Sequence, residues 1–349
     1  MIVSMPCDKS KTDILSMTAD ELRETLVAMG EKPFRAGQIF SRLHEKGATS
    51  FEEMSELSRE LRQKLSESFG IPSLSIATKQ QSSDGTVKYL FATEDGNMVE
   101  AVLMEYKHGN SLCISTQAGC RMGCAFCASG LNGLVRNLAP SEMLLEIALA
   151  QKDSGKRVDS VVMMGTGEPL DNFEASVDFI RLTDIGKRHI SLSTSGLCDR
   201  IERLAEYGFE ITLSVSLHAP TDDIRSRLMP VNRKWKVETL VKTVTEYQKK
   251  TGRRVSYEYA MIDGVNDSPA QAEALIKLLS GRGAHLNLIR LNQIPESPFR
   301  PTPETRLDAF KKRLEVGGLN VTVRRRLGAD IDGACGQLRR RSMQRGDRS

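Results

Sequence analysis

Apolar positions along this chain change period twice. Over the first seventy residues they recur three and four apart, as Leu22, Leu26 and Met29 do in ADELRETLVAMG, which places them on one face of a helix. Thr18 and Glu21 have the interval of a capping box that opens this helix. AGQIFSRLHEKG reads as a second short helix that Gly47 ends. Ser50 and Glu53 form a further capping box, and SRELRQKLSESF a third helix. From residue 74 to 105 the period shortens to two. SLSIATKQQ and TVKYLFAT flank the turn Ser83-Asp84-Gly85 as a hairpin, and MVEAVLMEY is a third strand. Beyond it, strands alternate with helices. The strands are SLCIST, VDSVVMMG, RHISLST, EITLSVSLH, RVSYEYAMI and HLNLIRLN. SEMLLEIALAQ, NFEASVDFIRLT, VETLVKTVTEYQ and SPAQAEALIKLLS are the helical stretches between them, and LNVTVRRR is a last strand. Six βα repeats predict an α/β fold, a partial (βα)6 TIM-like barrel. The expected organisation is an N-terminal helical accessory domain over 14–73, a β-hairpin extension over 74–105, the barrel core over 106–330 and a tail over 331–349.

Composition narrows the function only slightly. A net charge of +4 over 349 residues tilts the chain toward an anionic partner, and 5% aromatic residues leave little for stacking rows of bases. The basic residues Lys32, Arg35, Arg42, Arg59, Arg62 and Lys64 of the first helices read first as ordinary solvated helix faces, with an RNA-docking module as the second reading. No run approaches the roughly 18 apolar residues of a membrane span, and the start MIVSMPCDKSKTD turns polar too early for a signal peptide. The expectation is a cytoplasmic, monomeric protein with no membrane partner. The seven cysteines are an odd number, with four of them between Cys113 and Cys127. That crowding argues for metal or redox chemistry rather than a disulfide framework.

Cys120, Cys124 and Cys127 have C-x3-C-x2-C spacing and directly follow the strand SLCIST. A loop at the C-terminal end of a barrel strand is where sites of this architecture lie. Three thiolates can hold three irons of a [4Fe–4S] cluster and leave the fourth open. A zinc site lacking its fourth ligand is the alternative. GTGEPLDN (165–172) follows the next strand, and its glycines let backbone approach a ligand closely.

These motifs together resemble the RlmN and Cfr adenosine methyltransferases of the radical S-adenosylmethionine (SAM) superfamily, from the N-terminal helices through GADIDGACGQL. The resemblance implies that Cys120, Cys124 and Cys127 hold a [4Fe–4S] cluster whose open iron binds SAM. It implies that Gly167, Glu168, Ser193, Ser216, Leu217, His218 and Asn292 contact SAM, all at the ends of predicted strands. Two SAM molecules would be used per turnover, one as methyl donor and one as radical source. Cys335 would take the methyl and then the RNA adduct, Cys113 would resolve that adduct through a disulfide, and Glu100 would accept a proton. The implied substrates are an adenosine of 23S ribosomal RNA at the peptidyl-transferase centre and certain transfer RNAs, methylated at C2. A flavodoxin or ferredoxin would supply single electrons. Cys7 and Cys198 match no motif. Thr166 stands where many relatives carry another residue, which leaves Glu168 in place. Arg324–Arg326 and Arg339–Arg341 suit phosphate contacts as well as a solvated terminus.

Other readings stay open on sequence. Methylation at C8 would use the same cysteines. A non-catalytic iron–sulfur protein would have no use for GTGEPL or Cys335, and a non-catalytic ribosome factor would bind RNA whether or not a cluster was present.

Overall fold

The computed structural model describes residues 11–294, 297–328, 330–331 and 338. Strands β1 (Thr12–Asp13) and β2 (Phe69–Gly70) pair in parallel and close off an N-terminal helical unit. Within it lie α1 (Ala19–Ala28), α2 (Phe34–His44) and α3 (Arg59–Ser68). They share a core that includes Ile14, Leu22, Leu26, Ile39, Leu43, Leu61 and Leu65. The Thr18–Glu21 capping box forms: the Glu21 N–H donates to Thr18 Oγ1 at 3.3 Å, and the Thr18 N–H to Glu21 Oε2 at 2.8 Å. The Ser50–Glu53 box does not. Only a 3₁₀ turn, Phe51–Glu53, follows Ser50 before Met54 leaves helical geometry. The Glu53 carboxylate instead accepts from the Thr49 N–H (3.1 Å) and the Thr49 hydroxyl (2.7 Å).

Next come β3 (Leu74–Gln81), β4 (Val87–Thr93), β5 (Met98–Tyr106) and β6 (Gly109–Cys113), then the short pair β7 (Gln117–Gly119) and β8 (Leu134–Asn137). Repeating units follow: α4 (Pro140–Ser154), β9 (Ser160–Met163), α5 (Phe173–Leu182), β10 (Ile190–Thr194), α6 (Cys198–Ala205) and β11 (Thr212–Ser216). The series closes with α7 (Asp222–Leu228), α8 (Val237–Thr251), β12 (Val255–Met261), α9 (Pro269–Leu279), β13 (His285–Arg290), α10 (Glu304–Val316) and β14 (Asn320–Val323). One ten-stranded sheet runs in the order β14-β13-β12-β11-β10-β9-β6-β5-β4-β3. It is parallel from β6 to β14 and antiparallel from β6 back through β3. Six βα units and a last strand thus make the partial barrel, and the hairpin strands continue the same sheet.

Side chains alternate across this sheet. Leu192, Leu213, Val215, Tyr257, Tyr259, Leu286 and Leu288 are buried in the main core with the helices. On the opposite face stand small and polar residues, and Glu258 accepts there from Asn287 Nδ2 (2.8 Å) and from the Ser256 hydroxyl (3.1 Å). Helices α6, α7 and α10 lie outside the segments singled out by periodicity. The first two run only eight and seven residues, too short for a period to stand out.

Candidate active site

The cysteine loop leaves β7 at Gly119, whose φ of +90° suits glycine and where a Cβ would collide with the Gly133 carbonyl. The Cys120 N–H donates to Gly133 O (2.9 Å), the Cys127 N–H to Cys124 O (3.1 Å), and the Ala125 N–H to Leu228 O at the end of α7 (2.9 Å). The loop is therefore fixed at its start, middle and end by backbone bonds. Cys120 is buried, and Cys124 and Cys127 are half-buried. Burial, with some help from the neighbouring thiols and Glu168, pushes the Cys120 thiol up to about 12 and Cys124 well above the usual range. Such thiols hold their protons until a cation displaces them. Among the described residues no three His, Cys, Asp or Glu side chains are grouped to grip a single ion. A four-iron cluster makes a different demand, because each thiolate takes its own iron. The donor set, three thiols on one pinned loop, fits that cluster.

GTGEPL packs against the segment entering this loop. A Cβ on Gly165 would lie 2.6 Å from Ile114 O, and one on Gly167 (φ +117°) 2.6 Å from Thr116 Oγ1. Glu168 is buried. Its Oε2 accepts from the Ser195 N–H (2.6 Å), its Oε1 from the Leu170 N–H (3.1 Å), and its own N–H donates to Gln117 Oε1 (2.8 Å). The carboxylate thus holds the turn after β9 to the loop after β10, and the backbone N–H holds it to Gln117 of β7, a structural task added to any ligand contact. Burial raises its pKa, against the pull of those N–H groups. The buried hydroxyls of Thr116 and Thr166 have no hydrogen-bond partner, so this rim offers polar groups that a ligand can satisfy.

His218 is the one non-glycine with positive φ (+53°) among the described residues, and such strain concentrates at functional sites. Its Nδ1 accepts from the Ala260 N–H (2.9 Å), and its carbonyl accepts from Asn266 Nδ2 (2.7 Å). Burial, then the nearby Arg225 charge, lowers its pKa to about 3. The ring is therefore neutral with its proton on Nε2, a donor. It meets Phe126 of the cysteine loop edge-on, with ring centroids 4.9 Å apart. Ser193 and Ser216 lie at or next to the C-terminal ends of β10 and β11, Leu217 is buried beside His218, and Asn292 is exposed just beyond β13.

Two charged residues went unnoticed in the sequence. Arg225 on α7 is fully buried and donates to the carbonyls of Ser195 (2.7 Å), Ser216 (2.9 Å) and Leu217 (3.0 Å). It joins the loops after β10 and β11, yet among Asp222, Asp223 and Arg227 it reads as one more surface charge. Lys88 on β4 is likewise fully buried, its Nζ 2.9 Å from Glu100 Oε2. Replacing one member of such a pair strands the other charge out of water. Lys88→Met is expected to destabilise the fold by about 3–5 kcal/mol in urea unfolding, and a loss below about 1 kcal/mol would contradict the buried pair.

Cys113 ends β6 buried, packed in a small cluster with Val102, Met104, Met164 and Leu327. No disulfide occurs among the described residues, and Cys335, the exchange partner implied for Cys113, lies outside them. Leu327 brings the start of the C-terminal tail to this cluster. The Gly328 N–H then donates to Asp84 Oδ2 (2.9 Å), and Asp330 accepts from the Ser83 N–H (3.0 Å) and the Ser82 hydroxyl. The hairpin turn thus anchors the tail a few residues before Cys335. Cys335 itself, Cys7 and Arg339–Arg341 lie outside the described residues. Arg324–Arg326 are exposed.

A partial barrel whose first strand leads into a three-cysteine loop, with a glycine-rich turn after the second strand, defines a radical SAM protein. Residues 114–276 match the radical SAM superfamily, and residues 12–71 match the ribosomal RNA large subunit methyltransferase N-terminal domain. A protein of Lachnospira eligens described as "Probable dual-specificity RNA methyltransferase RlmN" is 49% identical, over 97% of this chain and 99% of its own length. One of Bacillus subtilis with the same description is 47% identical, over 96% and 94%. The crystal structure of a radical SAM methyltransferase from Sphaerobacter thermophilus superposes with a TM-score of 0.88 at 41% identity, covering 93% of this chain and 98% of that one. The chain belongs to the RlmN family of radical SAM RNA methyltransferases. Membership implies a [4Fe–4S] cluster and SAM.

Proposed function

We propose that this enzyme methylates C2 of adenosine in 23S ribosomal RNA, at the peptidyl-transferase centre, and in certain transfer RNAs. The observation that carries this reading is the buried Cys113, packed against Leu327 where the tail bearing Cys335 sets out. When bound, the cluster and two SAM molecules per turnover supply a methyl group and a hydrogen-abstracting radical. Cys120, Cys124 and Cys127 hold the cluster. Gly167, Glu168, Ser193, Ser216, Leu217, His218 and Asn292 would hold SAM, with neutral His218 donating from Nε2 and Gly167 letting the turn pack tightly on Thr116 and Gln117.

Cys335 carries the methyl carbon to the base and becomes covalently joined to it. Glu100, on the strand beside Cys113, accepts a proton from the adduct, and Lys88 keeps that carboxylate paired. Cys113, as thiolate, attacks the sulfur of Cys335. The S–S bond forms as the S–C bond breaks, and the electron pair leaves with the carbon. The adenosine must be extruded from its stack to reach these groups, and the exposed Arg324–Arg326 would hold backbone phosphates. A flavodoxin or ferredoxin would deliver the electrons, to a protein acting as a monomer in the cytoplasm. No helix of the described chain is long and apolar enough to cross a membrane.

Mass spectrometry of RNA nucleosides treated with the reconstituted enzyme tests the regiochemistry. The expected product is 2-methyladenosine, with 8-methyladenosine absent or minor. Dominant 8-methyladenosine would overturn the C2 assignment and leave the cluster assignment intact.

A further inference from the structure

Arg225 is the largest fully buried side chain in the described chain, and it has no carboxylate within ion-pair distance. Its four hydrogen bonds all end on neutral oxygens: the carbonyls of Ser195, Ser216 and Leu217, and the side-chain Oδ1 of Asn232 (3.0 Å). The nearest acid it engages, Asp222, is one residue removed, accepting from Asn232 Nδ2 at 3.0 Å. Gly196, with φ +102°, lets the loop after β10 come this close, since a Cβ there would lie 3.3 Å from Arg225 Nη2. A guanidinium stays charged in proteins, and a buried charge without direct compensation is costly. A nearby group that becomes negative would offset that cost.

The cysteine loop is that neighbour. Cys124 packs in one cluster with Ile224, Leu228 and Met229, which flank Arg225 on and just after α7. The Ala125 N–H bonds to the last carbonyl of the same helix. Three thiolates around a [4Fe–4S] cluster make a net negative assembly, and reduction adds one electron more. We propose that Arg225 is the fixed counter-charge of the cluster, a positioning residue that raises its reduction potential while holding the loops after β10 and β11 in register. The inference rests on the cluster assignment. The electron comes from an external one-electron donor, which is oxidised, and no bond breaks in that step.

The test is a potentiometric titration of the anaerobically reconstituted full-length enzyme with dithionite and mediators, read by electron paramagnetic resonance. Iron content and the spectrum of the parent enzyme establish the cluster independently, and their absence would sink that reading rather than this one. Arg225→Met and Arg225→Gln should each lower the reduced-to-oxidised ratio at fixed potential about tenfold, a shift of about 59 mV for one electron. Arg225→Lys keeps the charge with fewer donors and should titrate with the parent enzyme. Neutral variants that fail to take up iron, beside a Lys variant that does, would show the same charge requirement at assembly. Equal potentials in all four proteins, or an equal loss in all three variants, would overturn the counter-charge role.

Discussion

Cys113→Ala should accumulate enzyme covalently joined to RNA instead of released methylated product. Cys113 is buried on the barrel strand next to β5, in the cluster that receives Leu327 at the start of the tail. Its assigned work comes last, breaking the bond between Cys335 and the base, so alanine leaves every earlier step intact. The trapped link is a thioether, which thiol reductants do not cleave as they would a disulfide. The species should survive dithiothreitol and a denaturing gel, with product formation falling at least a hundredfold, an effect of about 2.7 kcal/mol or more. Cys335→Ala and the double variant should show no such band, because they stop before any bond to RNA forms. Digestion should locate the nucleotide on a peptide spanning residues 330–338. Normal turnover by Cys113→Ala, with no trapped RNA, would sink the division of labour between the two cysteines.

Replacing Cys120, Cys124 or Cys127 by Ala has the other large expected effect. The loop is pinned by backbone bonds at Cys120, Ala125 and Cys127, so each variant should fold, yet each lacks one of three thiolates. Anaerobic reconstitution should then fail to give the brown iron–sulfur absorbance, and 5′-deoxyadenosine should not form from SAM and dithionite. The burial that keeps the Cys120 and Cys124 protons in place without metal also makes any replacement ligand from solvent a poor substitute. A single-alanine variant with a full complement of four irons and normal SAM cleavage would remove that cysteine from the ligand set.

The sequence revealed the elements far better than it revealed burial. Period-two runs located the strands, and the Thr18–Glu21 box located the start of α1, because these signals are local. Ser50 and Glu53 had the same local signal and failed, since the chain after Glu53 does not continue as helix. Lys88 in TVKYLFAT sits where alternation promises solvent. The far face of β4 is covered as well, so a position that looks exposed is fully buried. Arg225 was hidden for a related reason: a short charged helix looks like surface until the loops it faces are in place. The cysteine loop and GTGEPL were legible because their spacing and order are themselves the signal. The links between them, such as Glu168 to Ser195 and Arg225 to Ser216, join residues distant in sequence and exist only in the folded chain.

The strands β4 and β5 share a continuous hydrogen-bond ladder with the barrel, through β6 into β9. Glu100 therefore stands on β5 two residues from Val102, the rung partner of Cys113, on one continuous surface. Amides of β4 and β5 should exchange with deuterium only when the barrel itself opens. A flap that closes over its substrate is not available to this part of the molecule. A substrate nucleotide is therefore expected to reach this face by swinging out of its own stack, the sheet serving as the fixed partner.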